Sequence, residues 1–503
     1  MLFQSLEFIL IFLPVVLAGY FLIGRFYTGD CPLCNFWLIG ASLIFYGRFH
    51  LLFPVLLVGS ALITYGFSVL IKRAEDAPGK RRALRTLGVV LQLAVLFLYK
   101  YYDFFVGQIN AVTGSRIGVL ALLLPVGLSF TTFQQIAFLV DCERVEAGLT
   151  EYLTYITFFP KLVQGPITLP DEFLPQLREV SKRKFSVDHL TEGLLLFIIG
   201  LSKKVLLADV LAPVVRFGYE HTYYLDTLSI VLLLLSYAFQ LYFDFTGYCD
   251  MAQGVARMMN IDLPDNFHSP FQARSIKALW QRWHMSLSRF FTRYVYIPLG
   301  GSRRGRTRTL VNVMIVFVLS AIWHGAGWTF LAWGVLEGAF VVVQEIICRR
   351  ADNTGEQSPV SIKPDTKGRS PVLPVVATNA LFCLGLIFFN AQDMTYAFTM
   401  LRRLFVPLFP GFLYRIATQL SFSEIYLPAQ AVTRLVPQYE NVFYLGLWLL
   451  LLAISIVILR RRRAKEIIAS LNMNKKTALC FGVLFAWSLA SLSGVGEFLY
   501  FAF

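Results

Sequence analysis

Charge is scarce in this chain. Asp, Glu, Lys and Arg make up only 15% of its 503 residues, with 31 acidic side chains against 45 basic ones. A soluble domain carries about a quarter charged residues, so a water-facing surface along the whole chain is excluded. Histidine is scarcer still, with six, and the seven cysteines are scattered. Cys31 and Cys34 form a lone C-x-x-C with no second pair, so no zinc site is expected, nor any other metal centre. They read as two reduced thiols in a cytoplasmic helix connection. There is no Gly-rich phosphate loop and no G-x-S-x-G elbow, which leaves an α/β-hydrolase nucleophile unsupported. The absence of an internal repeat weighs against transporters built from duplicated halves.

What the chain has in abundance is apolar sequence, 56% of it. Nearly uncharged runs of about 18 residues or more recur throughout, long enough to cross a hydrocarbon core of roughly 30 Å as helices. The fold class is therefore an all-α polytopic membrane protein. Spans are expected near 4–24, 35–49, 50–71, 86–106, 118–140, 189–207, 226–250, 309–327, 328–348, 372–389, 440–459 and 476–493, about twelve in all. The first lacks a basic n-region and a small-residue cleavage site and reads as a retained helix. The basic clusters, "IKRAEDAPGKRRALR", "REVSKRK", "GSRRGRTR", "CRR" and "RRRRAK", then all fall on one side, the cytoplasmic one by the positive-inside rule. Both termini fall outside. Basic charge placed this way marks a bilayer face, not a nucleic-acid partner.

Three stretches do not read as spans. Residues 151–170 are broken by Pro160, Pro166 and Pro170 and suit a re-entrant or interfacial segment. Residues 351–371 read as a cytoplasmic loop, and 391–438 as interfacial amphipathic helices. A fourth stretch, 240–301, carries Asp244, Asp250, Asp262, Asp265, His268 and His284 among many aromatics. Irregular polar backbone at membrane depth survives only where protein or a water-filled cavity surrounds it, so broken helices lining a cavity are expected there. Asp244, Asp250, Asn266, Trp283 and Trp323 are the expected lining residues. The organisation follows as a single integral-membrane domain: N-terminal helices 1–117, a core 118–348, a loop 349–371 and C-terminal helices and tail 372–503.

Two histidines stand out as candidates for chemistry. His324, in "SAIWHGAGWTFLAWG", sits roughly 24 Å into its span from Arg308, at 1.5 Å per residue. Ionisable groups at that depth mark function by default. A neutral imidazole there is poised as a base, while the bland alternative is a packing histidine bonded to a carbonyl. His284, in "QRWHMSLS", lies on an amphipathic stretch with Trp280, Trp283, Leu287 and Phe290 at helical spacing, which by itself favours packing. If both serve one site, their side chains should lie within about 15 Å, since ionisable groups sharing a cavity must face it together.

The blocks "FDFTGYCDMAQGVARMMNIDLPDNFHSPF", "WQRWHMSLSRFFTRYVYIPLGG" and "WHGAGWTFLAWG" resemble the signature blocks of the membrane-bound O-acyltransferase family, in particular its bacterial alginate O-acetylation branch. "LPVGLSFTTFQQIAFLVD" and "FFPKLVQGPI" are similar to two further blocks, and "FNAQDMTYAFTMLRRLF" and the extreme C-terminus extend the likeness. The resemblance implies a helical ring around a tunnel in the bacterial inner membrane, and acyl transfer from a cytoplasmic thioester, commonly acetyl-CoA, to an acceptor outside. It puts the catalytic histidine at His324 and the histidine of an R-W-H-x-S block at His284. The sequence departs from the family where an Arg-Asp pair usually precedes the Tyr of "YIPLGG"; Thr292 and Arg293 stand there instead.

The resulting expectation is an O-acyltransferase exporting acetyl groups to a polysaccharide, with acetyl-CoA as donor substrate, no bound cofactor, membrane lipid around it and a periplasmic acetyltransferase or acceptor protein as partner. Arg303, Arg304, Arg306 and Arg308 are placed to meet the donor's phosphates. Two alternatives stay open: a proton-coupled transporter using His284, His324, Asp244 and Asp250 as a relay, and a family member carrying D-alanyl or fatty acyl groups. The tail "FLYFAF" resembles that of a small partner peptide of the family's D-alanyl exporters. A phenol ester is activated, so Tyr500 is a candidate acyl carrier with His324 as its base.

Overall fold

The computed structural model describes residues 1–354, 372–407, 410–420 and 434–494, apart from 28, 30 and 462. It is 77% helix with no strand among the described residues, the outcome that hydrocarbon imposes, because a helix satisfies its own backbone hydrogen bonds. Among the described residues, seven helices are long and apolar enough to cross a membrane: Leu52–Arg73, Pro78–Lys100, Thr227–Met258, Arg306–His324, Trp328–Cys348, Val372–Asn390 and Pro437–Leu459. Phe8–Gly24 and Pro32–Gly47 are apolar but shorter. The stretches expected near 189–207 and 476–493 form Val187–Ser202, continued by a π-helical turn Lys203–Ala208, and Lys475–Ala490. Thr227–Met258 is the most enclosed, with 72% of its apolar window buried against 17–44% in the other spans. It is a core helix, whereas the others keep apolar faces outward.

Tertiary contacts divide the described chain into two compact units. The first comprises Met1–Gly200 and Tyr248–Asp265. Its centre is an aromatic cluster in which Phe8, Phe12, Phe45 and Phe159 lie with ring centroids 5.3–6.2 Å apart. The stretch expected as a span at 118–140 differs: its helix begins only at Leu128 and ends at Asp141, and most of it is buried. Pro125 interrupts the run, and Gly127 turns the chain at φ +77°, where an added Cβ would strike the Leu162 carbonyl. Residues 149–178 are broken as the prolines demand, into Leu149–Thr157, Phe159–Leu162 and Pro170–Arg178. Pro160 and Pro170 each sit in a first turn, where the missing N–H costs nothing. Lys161 in this segment is fully buried, with its Nζ bonded to Gln134 Oε1 and 4.0 Å above the Tyr155 ring.

Cys31 and Cys34 correct the reading of the sequence, which has them as free thiols. Cys31 caps Pro32–Gly47, its Sγ accepting from Cys34 N at 3.1 Å, and the structure joins the pair as a disulfide with Cα atoms 5.3 Å apart. An N-cap and the third helical residue face the same side, within the range a disulfide spans.

The second unit comprises Leu201–Gly247 and the described residues from Asn266 onward. Its charged centre is Lys204, 1% exposed, whose Nζ lies 2.7 Å from both Asp209 and Asp244. The π-helical turn Lys203–Ala208 carries Lys204, and the core helix carries Asp244. Removing one partner of a buried pair costs about 3–5 kcal/mol because the other charge is left uncompensated. Lys204→Met should therefore destabilise the protein by about that amount, read as loss of detergent-extractable folded protein and a lower melting temperature. A variant that folds and melts like wild type would show that the two aspartates do not need the lysine.

Candidate active site

Residues 266–305 are irregular, as their mixed polarity anticipates, and all belong to the second unit. Asn266 pins this segment together. Its backbone carbonyl accepts from Met285 N at 2.9 Å, and its side-chain Oδ1 accepts from Ser286 N at 3.2 Å and Ser286 Oγ at 2.8 Å. His268 N donates to the Arg282 carbonyl at 2.9 Å, so 266–268 run alongside 282–285. His284, at the N-cap of Met285–Phe291, is held at φ +46°, ψ +52°. A non-glycine residue in the left-handed region is uncommon, and such conformations persist only where the surroundings impose them.

His284 Nδ1 lies 3.1 Å from Asn266 Oδ1, and His324 Nδ1 lies 2.7 Å from the Ser320 carbonyl. An oxygen that also accepts from Ser286, and a carbonyl, can only be acceptors here. Each imidazole therefore carries its proton on Nδ1, and Nε2 is the basic nitrogen of both. Burial in this apolar surround, with the neighbouring His324 imidazole second, holds His284 well below the ordinary histidine range. It stays neutral.

The two rings lie 6.5 Å apart, inside the 15 Å that a shared site requires. Trp323 packs against both, at 5.8 Å from His284 and 4.9 Å from His324. Trp333 and Phe389 close on His324 at 5.1 and 5.4 Å. Gly334 permits that approach: a Cβ there would lie 2.7 Å from the Phe317 carbonyl oxygen, so only glycine lets the two helices meet beside Trp333.

Both histidines line a cavity of about 470 Å³. Along Arg306–His324 its wall is Thr309, Leu310, Val313, Val316, Phe317, Ser320 and His324, one helix face over roughly 22 Å. Trp280, Trp283 and Phe382 form the facing apolar wall, and Lys277, Glu345, Ser302 and Thr292 add polar groups. Thr292, which stands where the family pattern has arginine, is thus a wall residue, while Arg293 stacks 5.6 Å from the Tyr294 ring.

Of the expected lining residues, Trp283 is in the wall, and Asn266 and Trp323 hold the histidines from behind. Asp244 and Asp250 are not in the wall. Asp244 is taken up by Lys204, since a carboxylate at that burial needs a cation. Arg303 and Arg304 are exposed in the turn after wall residue Ser302, and Arg306 and Arg308 are exposed in the first turn of Arg306–His324, ahead of wall residue Thr309. Tyr500 and the residues from 495 onward lie outside the described residues, as do 355 to 371 of the expected loop, whose first residues, 349–354, instead continue the helix from Trp328. Sequence reasoning missed Glu337, fully buried in Trp328–Cys348, whose Oε2 accepts from Trp280 Nε1 at 3.1 Å. The signal was a glutamate at the middle of a largely apolar span, eight residues before the second one, Glu345. It also missed Lys277 and Glu345, which belong to no motif in the sequence.

A helical membrane protein with two histidines facing one apolar cavity, their Nδ1 atoms both taken up by oxygen acceptors, is equipped for proton transfer out of bulk water, which is the chemistry of acyl transfer to a hydroxyl. Comparison with known proteins agrees. The model of the MBOAT, membrane-bound O-acyltransferase family, matches residues 42–362. A peptidoglycan O-acetyltransferase from Helicobacter pylori is 38% identical over 67% of this chain and 69% of its own. A probable alginate O-acetylase from Azotobacter vinelandii is 32% identical over 80% and 78%. A teichoic acid D-alanyltransferase from Streptococcus thermophilus is 28% identical over 46% and 60%. The chain belongs to the membrane-bound O-acyltransferase family. It is an O-acyltransferase, a multi-pass protein of the bacterial inner membrane.

The state of His284 has a consequence for stability. Its folded-state pKa lies below the unfolded value of about 6.5. The unfolded chain therefore binds the proton more readily, and stability present above about pH 6.5 falls as the pH drops below it. His284→Gln, which cannot charge, should flatten the fall in melting temperature between about pH 7 and 5, since only the group with a shifted pKa contributes the slope. An equally steep fall in the variant would assign that dependence to other groups.

Proposed function

We propose that this enzyme takes an acetyl group from acetyl-CoA on the cytoplasmic side and delivers it to hydroxyl groups of a polysaccharide outside the inner membrane. The observation that carries the reading is the placement of His284 and His324 6.5 Å apart on one apolar cavity. The relatives support the cargo: those with the higher identities are named for O-acetylation of peptidoglycan and alginate, and the D-alanyl relative aligns over less of the chain. Which polymer is acetylated, and whether a periplasmic acetyltransferase relays the group, belongs to the same proposal.

In this mechanism His324 is the base. Its Nε2 takes the proton from the acceptor hydroxyl as the oxygen attacks the thioester carbonyl carbon. The C–O bond forms, the C–S bond breaks, and the leaving thiolate receives the proton from His324. The Ser320 carbonyl fixes the tautomer this requires and stabilises the imidazolium between the two steps. His284, clamped by Asn266 and neutral, orients the reacting groups from the opposite side without setting a second positive charge against the imidazolium. In the tail, Tyr500 is proposed as the first acceptor. Its phenol ester would be activated for onward transfer to a sugar hydroxyl, in the manner of covalent catalysis.

Purified protein in detergent, given labelled acetyl-CoA and an acceptor, should release free CoA. His324→Ala should lose at least about a hundredfold in rate while inserting and melting normally, as expected for removal of a positioned base. Undiminished CoA release by that variant would remove His324 from the mechanism. Tyr500→Phe keeps the ring and removes the oxygen, and full polysaccharide acetylation by it would end the carrier role.

A further inference from the structure

The cavity is far longer than an acetyl group. Its wall extends along Trp328–Cys348 from Trp333, beside His324, to Glu345, roughly 18 Å along the helix axis. At the far end Lys277 Nζ meets Glu345 Oε2 at 2.9 Å, with side chains 44% and 18% exposed. Lys277 is the one lysine or arginine among the described residues lining the cavity. Its backbone N–H donates to Gln344 Oε1 at 3.1 Å, which fixes its Cα against the same helix turn and leaves the ammonium as the part free to swing. A pair this exposed stabilises little, so breaking it is easy.

We propose that the Lys277–Glu345 pair is a latch that reads phosphate: Lys277 leaves Glu345 and donates to the phosphate ester ending a pantetheine arm laid along the cavity. This rests on the thioester-donor reading above. The chain from a thioester sulfur to that phosphorus is about 13 bonds, roughly 15 Å extended at the 3.3–3.6 Å that three backbone bonds span. With the phosphate at Lys277, the thioester carbonyl arrives beside His324. Glu345 is the internal substitute for the phosphate, so Lys277 keeps an anionic partner with or without a donor, and the carboxylate competes with the donor for it. The four arginines of 303–308 lie outside the wall and add only a general positive field.

The phosphate belongs either to coenzyme A or to the arm of a carrier protein. Three donors distinguish these sources: acetyl-CoA, S-acetyl-4′-phosphopantetheine as the carrier-arm probe, and S-acetylpantetheine, which has no phosphate. Lys277→Met should raise KM about tenfold for the two phosphorylated donors, equivalent to about 1.4 kcal/mol. Its kcat should be unchanged, and S-acetylpantetheine should be unaffected. Glu345→Gln should lower KM for the phosphorylated donors, and Lys277→Arg should restore the wild-type order. Wild-type preference for acetyl-CoA identifies the free coenzyme, and preference for the phosphopantetheine probe the carrier. A rise in KM for all three donors would make the pair structural, a rise for acetyl-CoA alone would move the contact beyond the arm, and no change would remove the latch. A wild-type protein that uses none of the three sinks the thioester reading itself. An active wild type matched by Lys277→Met sinks only the latch.

Discussion

A polar group carried to membrane depth must find its partner inside the protein, because hydrocarbon supplies none. Three of the buried ionisable side chains among the described residues show this. Lys204 sits between Asp209 and Asp244, Glu337 accepts from the Trp280 indole, and Lys161 is bonded to Gln134 beneath the Tyr155 ring. These contacts join segments distant in sequence and fix them to one another with far more directionality than apolar packing alone. The Glu337–Trp280 bond bears directly on the site, since it ties one cavity wall to the helix that carries Trp333.

The same constraint explains the histidines. Burial makes His284 expensive to charge, and an imidazole that is to act as a base needs its N–H satisfied to present a defined lone pair. Asn266 and Ser320 do this for His284 and His324 in the same sense, on Nδ1. Asn266 can do so only because 266–268 run back along 282–285, and that turn puts His284 in the left-handed region. The strained backbone and the tautomer are thus two results of one local arrangement, and both converge on Nε2.

Much of this could be read from residues alone. Apolar run length gave the helical class. The prolines of 151–170 gave a broken segment, and the mixed polarity of 240–301 gave an irregular cavity-side stretch that includes His284, although 240–258 belong to the unbroken core helix Thr227–Met258. Placing His324 and His284 together needed the resemblance as well, since the spacing around His284 by itself favours packing. Three features stayed out of reach. Run length alone could not show that 118–127 leaves the helix, because the deciding fact is the contact of Gly127 with the Leu162 carbonyl, thirty-five residues on. Asp244 looked like a cavity residue because its partner lies forty residues away in a turn with no periodic signal. Lys277 and Glu345 carry no signal in the sequence because their pairing across two helices exists only in three dimensions.

Cavity length and cavity width constrain the substrate separately. The long dimension, from the Lys277–Glu345 pair to His324, suits a slender arm, and its walls are branched aliphatics and aromatics that contact such an arm without demanding polar partners. At the His324 end the geometry changes. Trp323, Trp333 and Phe389 approach the imidazole to within 4.9–5.4 Å, ring to ring, and Trp333 with Phe389 are themselves only 5.0 Å apart. Rings packed edge to face at these distances leave little slack, because close-packed interiors absorb even one extra methylene only by shifting neighbours. Under the function proposed above, selection against long acyl chains falls to the three rings around the base, and recognition of the donor's arm to the length behind them. Those two tasks are carried by different side chains, so a change in cargo would require altering the rings at the His324 end and leave the arm's channel as it is.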